Sequence, residues 1–159
     1  MGEAFNPQDA VSSKLAKGFI TIDGRRELWL HIKNFEMKAN IRSKEVPRLG
    51  AFVDGSKATG MGYSGKMTIY KVNGTIDAMV QRMAETGETP FFEIQTVNED
   101  PSAKNGRDVK LYSGCHLDGD VVLSSGDAEG DFLEQEVNVK AQKMKILEKF
   151  TGTSSVIVG

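Results

Sequence analysis

Along the 159-residue chain, apolar positions alternate far more often than they recur at helical spacing, and the alternation changes phase at informative places. Residues 19–22 and 28–32 are rich in β-branched, aromatic and leucine side chains and flank Asp23-Gly24, a dipeptide suited to the positive φ angles of a hairpin turn. Leu28, Leu30 and Ile32 occupy even positions, whereas Phe35, Met37, Ala39 and Ile41 occupy odd ones. A one-residue slip moves every side chain to the opposite face, so this switch predicts a bulge or bend at Lys33 and Asn34. Met61, Tyr63, Met67 and Ile69 alternate with Ser64, Lys66 and Thr68, which predicts an antiparallel ribbon with the 35–41 segment. Further strands are predicted at PFFEIQTV, at RDVKLYSGCHL and DVVLSS around a hairpin turn at Asp118-Gly119, and at FLEQEVNVKAQKM. In the last of these Leu133, Val137, Val139 and Ala141 oppose Glu134, Glu136, Asn138 and Lys140.

The exception is TIDAMVQRMAETG, residues 75–87. Ile76, Met79, Val80 and Met83 fall at i, i+3, i+4 and i+7, with Thr75 as candidate N-cap, Asp77 in the first turn and Gly87 past the end. About eleven helical residues make a rod of roughly 16 Å with one apolar stripe to lay on a sheet. The pattern predicts a mainly β fold, a sandwich or barrel of antiparallel strands with one flanking helix, in a single domain over residues 1–159. Seventeen glycines against four prolines agree, since five of those glycines follow Asp or Asn.

Composition narrows the function classes. A chain that is 39% hydrophobic at this length supports a core without disulfides or a metal, and the single cysteine, Cys115, cannot form an internal bridge. That pairing of features suits a reducing compartment. No apolar run exceeds three residues, so neither a signal peptide nor a membrane anchor is expected. Twenty Lys and Arg against 22 Asp and Glu leave no global attraction to nucleic acid or an anionic membrane.

Locally the charges are uneven. From Leu117 to Glu136 there are seven acidic residues and no basic one, whereas Val137 to Lys149 carries four lysines against Glu148. Residues 42–60, RSKEVPRLGAFVDGSKATG, carry four basic and two acidic residues and are predicted to form a long loop with Leu49, Phe52 and Val53 exposed. Two readings stand for each feature. The loop is a lid on the protein's own core or a partner surface, and the charge runs are solvated rims or patches that meet across a repeated interface.

Candidate chemistry does not assemble. Gly60, Gly62 and Gly65 satisfy G-x-G-x-x-G, but KMTIYKV follows as strand where a dinucleotide loop must open a helix, so the glycines read as close-packed strand backbone. Asp118, Asp120 and Glu129 brush against a calcium-loop spacing that fails at Val122 and Leu123. Cys115 and His116 are adjacent, so a strand points them to opposite faces and they cannot act as nucleophile and base. His31 has no carboxylate patterned near it. No catalytic, cofactor or metal residues are assigned.

The ordered set FITIDGRRELWLHIKNFEMKANIRSKEV, ATGMGYSGKMTIYKV, TIDAMVQRMAETGETPFFEIQTV, GRDVKLYSGCHLDGDVVL and FLEQEVNVKAQKMKILEKF, spanning Gly18 to Phe150, resembles the tail tube proteins of contractile phages and phage-like particles of the PBSX prophage type. The N-terminal extension 1–17 and the tail 151–159 lie outside the matching pieces.

The resemblance implies a β-sandwich with one helix, assembled as a six-membered ring whose inner strands close a continuous barrel. Rings stack into a hollow tube within a virion tail or phage-tail-like particle built in the bacterial cytoplasm. Implied partners are further copies of the chain, sheath, baseplate and tape measure proteins, with DNA as transient, non-specific cargo. Under that reading Arg42, Lys44, Arg48, Leu49, Phe52, Val53, Asp127, Glu129 and Asp131 are candidate contacts between subunits. Glu36, Lys38, Ser64, Lys66 and Thr68 are candidates for the lumen wall. The alternative from another class is a monomeric ligand-binding β-barrel, and a small enzyme is a weaker one.

Overall fold

The computed structural model describes residues 16–22, 25–28, 32–71, 74–101, 106–130 and 132–150. The Asp23-Gly24 turn, His31, Asp131, the tail 151–159 and nearly all of the extension 1–17 lie outside them. In chain order the elements are β1 (Lys17–Ile22), β2 (Arg25–Leu28), β3 (Ile32–Val46), β4 (Gly55–Tyr70), α1 (Thr75–Thr86), β5 (Phe92–Glu99), β6 (Arg107–Val121), β7 (Glu134–Ala141) and β8 (Lys143–Glu148). Every pairing with a described register is antiparallel.

Two compact units share β6, whose first half belongs to one and whose second half belongs to the other. In the first unit, β1 pairs with β2 from Phe19↔Leu28 to Ile22↔Arg25, as the hairpin pattern predicts. The other edge of β1 pairs with β5, and the Ile20↔Ile94 pair is almost wholly buried. Phe92, Ile94 and Thr96 turn inward along β5, and Val109 and Tyr112 do so on β6, which also pairs with β8.

The second unit orders its strands β6–β7–β4–β3 and carries α1. Its sheet has one dry face, where Met67, Cys115, Leu117, Val137, Val139 and Ala141 are buried. Lys33 is the extra residue where the β3–β4 register jumps from Ile32↔Ile69 to Asn34↔Thr68, so the phase switch is a β-bulge. Gly65 sits where Met37 crosses from β3: a Cβ there would lie 2.1 Å from the Met37 sulfur. That close approach accounts for one glycine of the G-x-G-x-x-G string.

Three local expectations are corrected. Residues 42–60 are not one long loop, because β3 runs on to Val46 and β4 begins at Gly55, leaving only 47–54 between them. This arm has polar residues on most positions, so it lacks apolar alternation. Its strand geometry comes from the pairing of each half with the other, through Arg42↔Gly60 and Val46↔Gly55. Asp118-Gly119 is not a hairpin turn but a bulge inside β6. Gly119 has φ 74°, and pairing with β7 jumps from Leu117↔Val139 to Val121↔Val137. A positive φ serves a bulge as well as a turn. Thr75 is the first helical residue rather than the cap, a place taken by Gly74 without a side-chain capping bond. Gly87 ends the helix with φ 70°, its N–H donating to the Met83 carbonyl. Burial is concentrated at the front of the helix: Ile76 and Met79 are buried, while Val80 and Met83 are only half-buried.

Candidate functional site

The wet face of the second unit is built by register. Glu36↔Lys66 and Lys38↔Ser64 are directly opposite on β3 and β4, and the next ladder places Ser64↔Lys140, Lys66↔Asn138 and Thr68↔Glu136. All five residues assigned to a lumen wall therefore lie on one face, with Glu36, Lys38 and Lys66 exposed and Ser64 and Thr68 half-buried. The residue types alone left open that Asn34, Asn40, Asn138, Glu136 and Lys140 join them. Their alternation was visible in each strand, but their adjacency depends on strand order. An open groove of about 550 Å³ on this face is lined by Asn34, Glu36, Lys38, Ser64, Lys66 and Asn138 among others.

Three lysines at this face are ion-paired within the subunit. Lys66 Nζ lies 2.8 Å from Glu136 Oε1, Lys33 Nζ 2.8 Å from Glu134 Oε1, and Lys140 Nζ 3.7 Å from Asp118 Oδ2. The hydrogen bonds and charges of Glu134 and Glu136 raise the pKa of Lys33 and of Lys66, respectively. Asn40 Nδ2 donates to Ser64 Oγ at 2.7 Å, and Asn138 Nδ2 to the Asp120 carbonyl at 3.0 Å. Asp118, Glu134 and Glu136, three of the seven acidic residues of the run, are thus paired within the subunit.

The β3–β4 arm is a second surface. Beyond Tyr63↔Ala141 the described register with β7 ends, and β3 and β4 continue as a pair. At its tip Leu49 and Phe52 are fully exposed and Val53 is 68% exposed. Gly50 takes φ 77°, Ala51 N–H donates to the Arg48 carbonyl, and Arg48 donates through Nε and Nη2 to the Val53 carbonyl. Arg48 therefore shapes the tip, whereas Arg42 and Lys44 stand exposed on strand β3 below it.

The loop 122–133 is the third. Lys71 N–H donates to the Leu133 carbonyl and Val122 N–H to the Glu136 carbonyl. Lys71 Nζ bonds the Leu123 carbonyl at 2.5 Å and Asp77 Oδ2 at 2.6 Å. Gln135, 1% exposed, donates from Nε2 to both Asp77 Oδ1 and the Val122 carbonyl at 2.8 Å. The Lys71 bond is the main cause that holds the Asp77 carboxyl below the usual range, with Gln135 adding to it against desolvation. Gln135 lies in the apolar phase of β7, so alternation hinted at its burial, but its partners are remote in sequence. Out on the loop, Asp127 Oδ1 accepts the Glu129 N–H at 3.0 Å, and both residues are exposed. Asp131 lies outside the described residues. Cys115 is a fully buried thiol, and a ring nitrogen of its neighbour His116 lies 3.1 Å from the Leu117 carbonyl oxygen.

The family model described as "Phage tail tube protein" matches residues 3–148. The phage-like element PBSX protein XkdM of Bacillus subtilis (strain 168) is 30% identical over 151 residues, covering 94% of this chain and 99% of that protein. An uncharacterized protein of the same organism, YqbM, is likewise 30% identical over 151 residues, with the same coverage. Among solved structures, a chain of the anti-feeding prophage baseplate superposes with a TM-score of 0.65 at 12% identity, over 91% of this chain and 97% of that one. The SPP1 tail tube superposes with a TM-score of 0.62 at 12% identity, over 94% and 87%. A chain of an extracellular contractile injection system sheath-tube complex does so with a TM-score of 0.61 at 9% identity, over 82% and 87%. With a family model spanning nearly its whole length and a relative at 30% identity over almost all of both chains, this chain belongs to the phage tail tube proteins, structural components of the tails of phages and phage-like particles.

Proposed function

We propose that residues 1–159 act as one tube domain that forms six-membered rings and that these rings stack into a hollow tube. The wet face carrying Glu36, Lys38, Ser64, Lys66 and Thr68 lines the lumen. The β3–β4 arm, with Arg42, Lys44, Leu49, Phe52 and Val53, reaches an adjacent subunit, as does the loop bearing Asp127, Glu129 and Asp131. The carrying observation is the two-faced sheet of the second unit, dry on one side and covered on the other by polar residues, several of them ion-paired, across three strands. A water-filled channel needs such a wall, and closing strands into a ring removes exposed edges. The solved relative that is described as six-fold symmetrised and the one described as a sheath-tube complex support the stoichiometry and a surrounding sheath.

Sheath, baseplate and tape measure proteins are the expected partners, and DNA passes as non-specific cargo. The role is mechanical, with no catalytic step, and assembly takes place in the bacterial cytoplasm. Internally paired lysines suit passage, because few uncompensated cations face a polyanion. Negative-stain electron microscopy with native mass measurement tests the reading. Six-fold rings or tubes are expected, with an interface per neighbour above roughly 1,000 Å². A species that stays at 17.4 kDa at high concentration refutes it and favours the monomeric ligand-binding barrel.

A further inference from the structure

We infer that the 122–133 loop is a preformed socket for the β3–β4 arm tip of a second copy of the chain. The inference rests on the assembly reading above and names the surface that receives the arm. The tip is an exposed apolar segment, and the loop is another: Phe132 is 77% exposed, Leu133 46%, Leu123 44% and Val122 38%. The loop's length reaches the limit of about 12 residues beyond which loops without secondary structure become uncommon in compact domains unless they serve a function. Its ends are held by more than the strands it joins. Both are fastened: the Lys71 and Gln135 side chains, themselves tied to Asp77, hold the Leu123 and Val122 carbonyls, and the Lys71 backbone N–H holds the Leu133 carbonyl. Phe132 is held as well, its ring packed edge-on to Tyr70 with centroids 5.9 Å apart. A surface ordered before its partner arrives loses less entropy on binding.

Charge selects the occupant. Residues 122–133 carry Asp127, Glu129 and Asp131 and no basic residue, whereas the arm carries Arg42, Lys44, Arg48 and Lys57 against Glu45 and Asp54. An acidic loop with exposed apolar residues fits a basic arm with an apolar tip. The exposed apolar residues of β8, Ile146 and Leu147, are a poorer fit for the same tip. They lie among Lys143, Lys145 and Lys149, while Glu148 is engaged by Arg107. Like charge disfavours that alternative.

The test mixes two singly substituted populations, Phe52→Cys and Leu123→Cys, lets them assemble, and oxidises them, with Phe52→Cys plus Ile146→Cys as the comparison pair. A disulfide between copies is expected for 52 with 123 and not for 52 with 146. A second arm keeps every apolar residue. Asp127→Asn, which preserves the turn-closing acceptor, combined with Glu129→Lys should slow assembly about tenfold or more. Adding Arg42→Glu and Lys44→Glu in the same chain should restore it. Tubes seen by microscopy that give no 52–123 disulfide, and assembly indifferent to the charge changes, overturn the socket and leave the assembly reading standing. Wild-type protein that never assembles overturns both.

Discussion

Phe52 is the sharpest place to perturb the arm. It is 105% exposed in the isolated subunit, so it contributes nothing to the subunit's own core. Phe52→Ala should therefore move the subunit's stability by no more than about 0.5 kcal/mol, the range of ordinary surface changes. Buried against a neighbour, a phenylalanine side chain contributes about 1.5–3 kcal/mol from area removed from water. Each added subunit makes one such contact under the proposed geometry, so the concentration at which tubes appear should rise by roughly 10- to 150-fold. The assay is pelleting or light scattering against protein concentration, with a thermal melt of the unassembled subunit alongside. A threshold within threefold of wild type would refute the reasoning. So would a melting midpoint lowered by several degrees, because the residue would then be core in a way its exposure denies.

Met79→Ala should destabilise the subunit by about 2–5 kcal/mol, whereas the same change at half-buried Met83 should cost clearly less; denaturant unfolding of both variants checks the order. Gly65→Val forces Met37 out of its place against the β4 backbone and should cost about 1–3 kcal/mol by overpacking, measured by the same titration. The Asp77 carboxyl is held below its usual range, so its contribution is fully present above the unfolded pKa of about 3.9 and is lost as pH falls through the folded value. Stability should therefore drop below about pH 4, and Asp77→Asn should flatten part of that acid limb; an unchanged limb would mean that the Lys71 pair has no energetic weight in the folded chain.

Side-chain direction along a strand and along a helix is a local property, and so periodicity alone determined the antiparallel β class, the Lys33 bulge, the β1–β2 hairpin and the helix with Gly87 at its end. It also assigned Glu36, Lys38, Ser64, Lys66 and Thr68 to the polar side of their strands. What it could not determine was anything set by a partner far along the chain. Residues 42–46 and 55–60 carry no alternation of their own and are strands because they pair with each other. Gly119 has the positive φ that its dipeptide suggested, but whether that angle makes a turn or a bulge depends on whether β7 continues alongside. Thr75 reads as a cap by residue type, yet the chain's path into α1 places Gly74 there. Gln135 occupies an inward position where a polar side chain is costly to bury, and it is tolerated because Asp77, 58 residues away, and the Val122 carbonyl satisfy it. Strand order is likewise a global outcome: it joins three separately legible polar rows into one face, because cross-strand neighbours are defined by register and not by sequence.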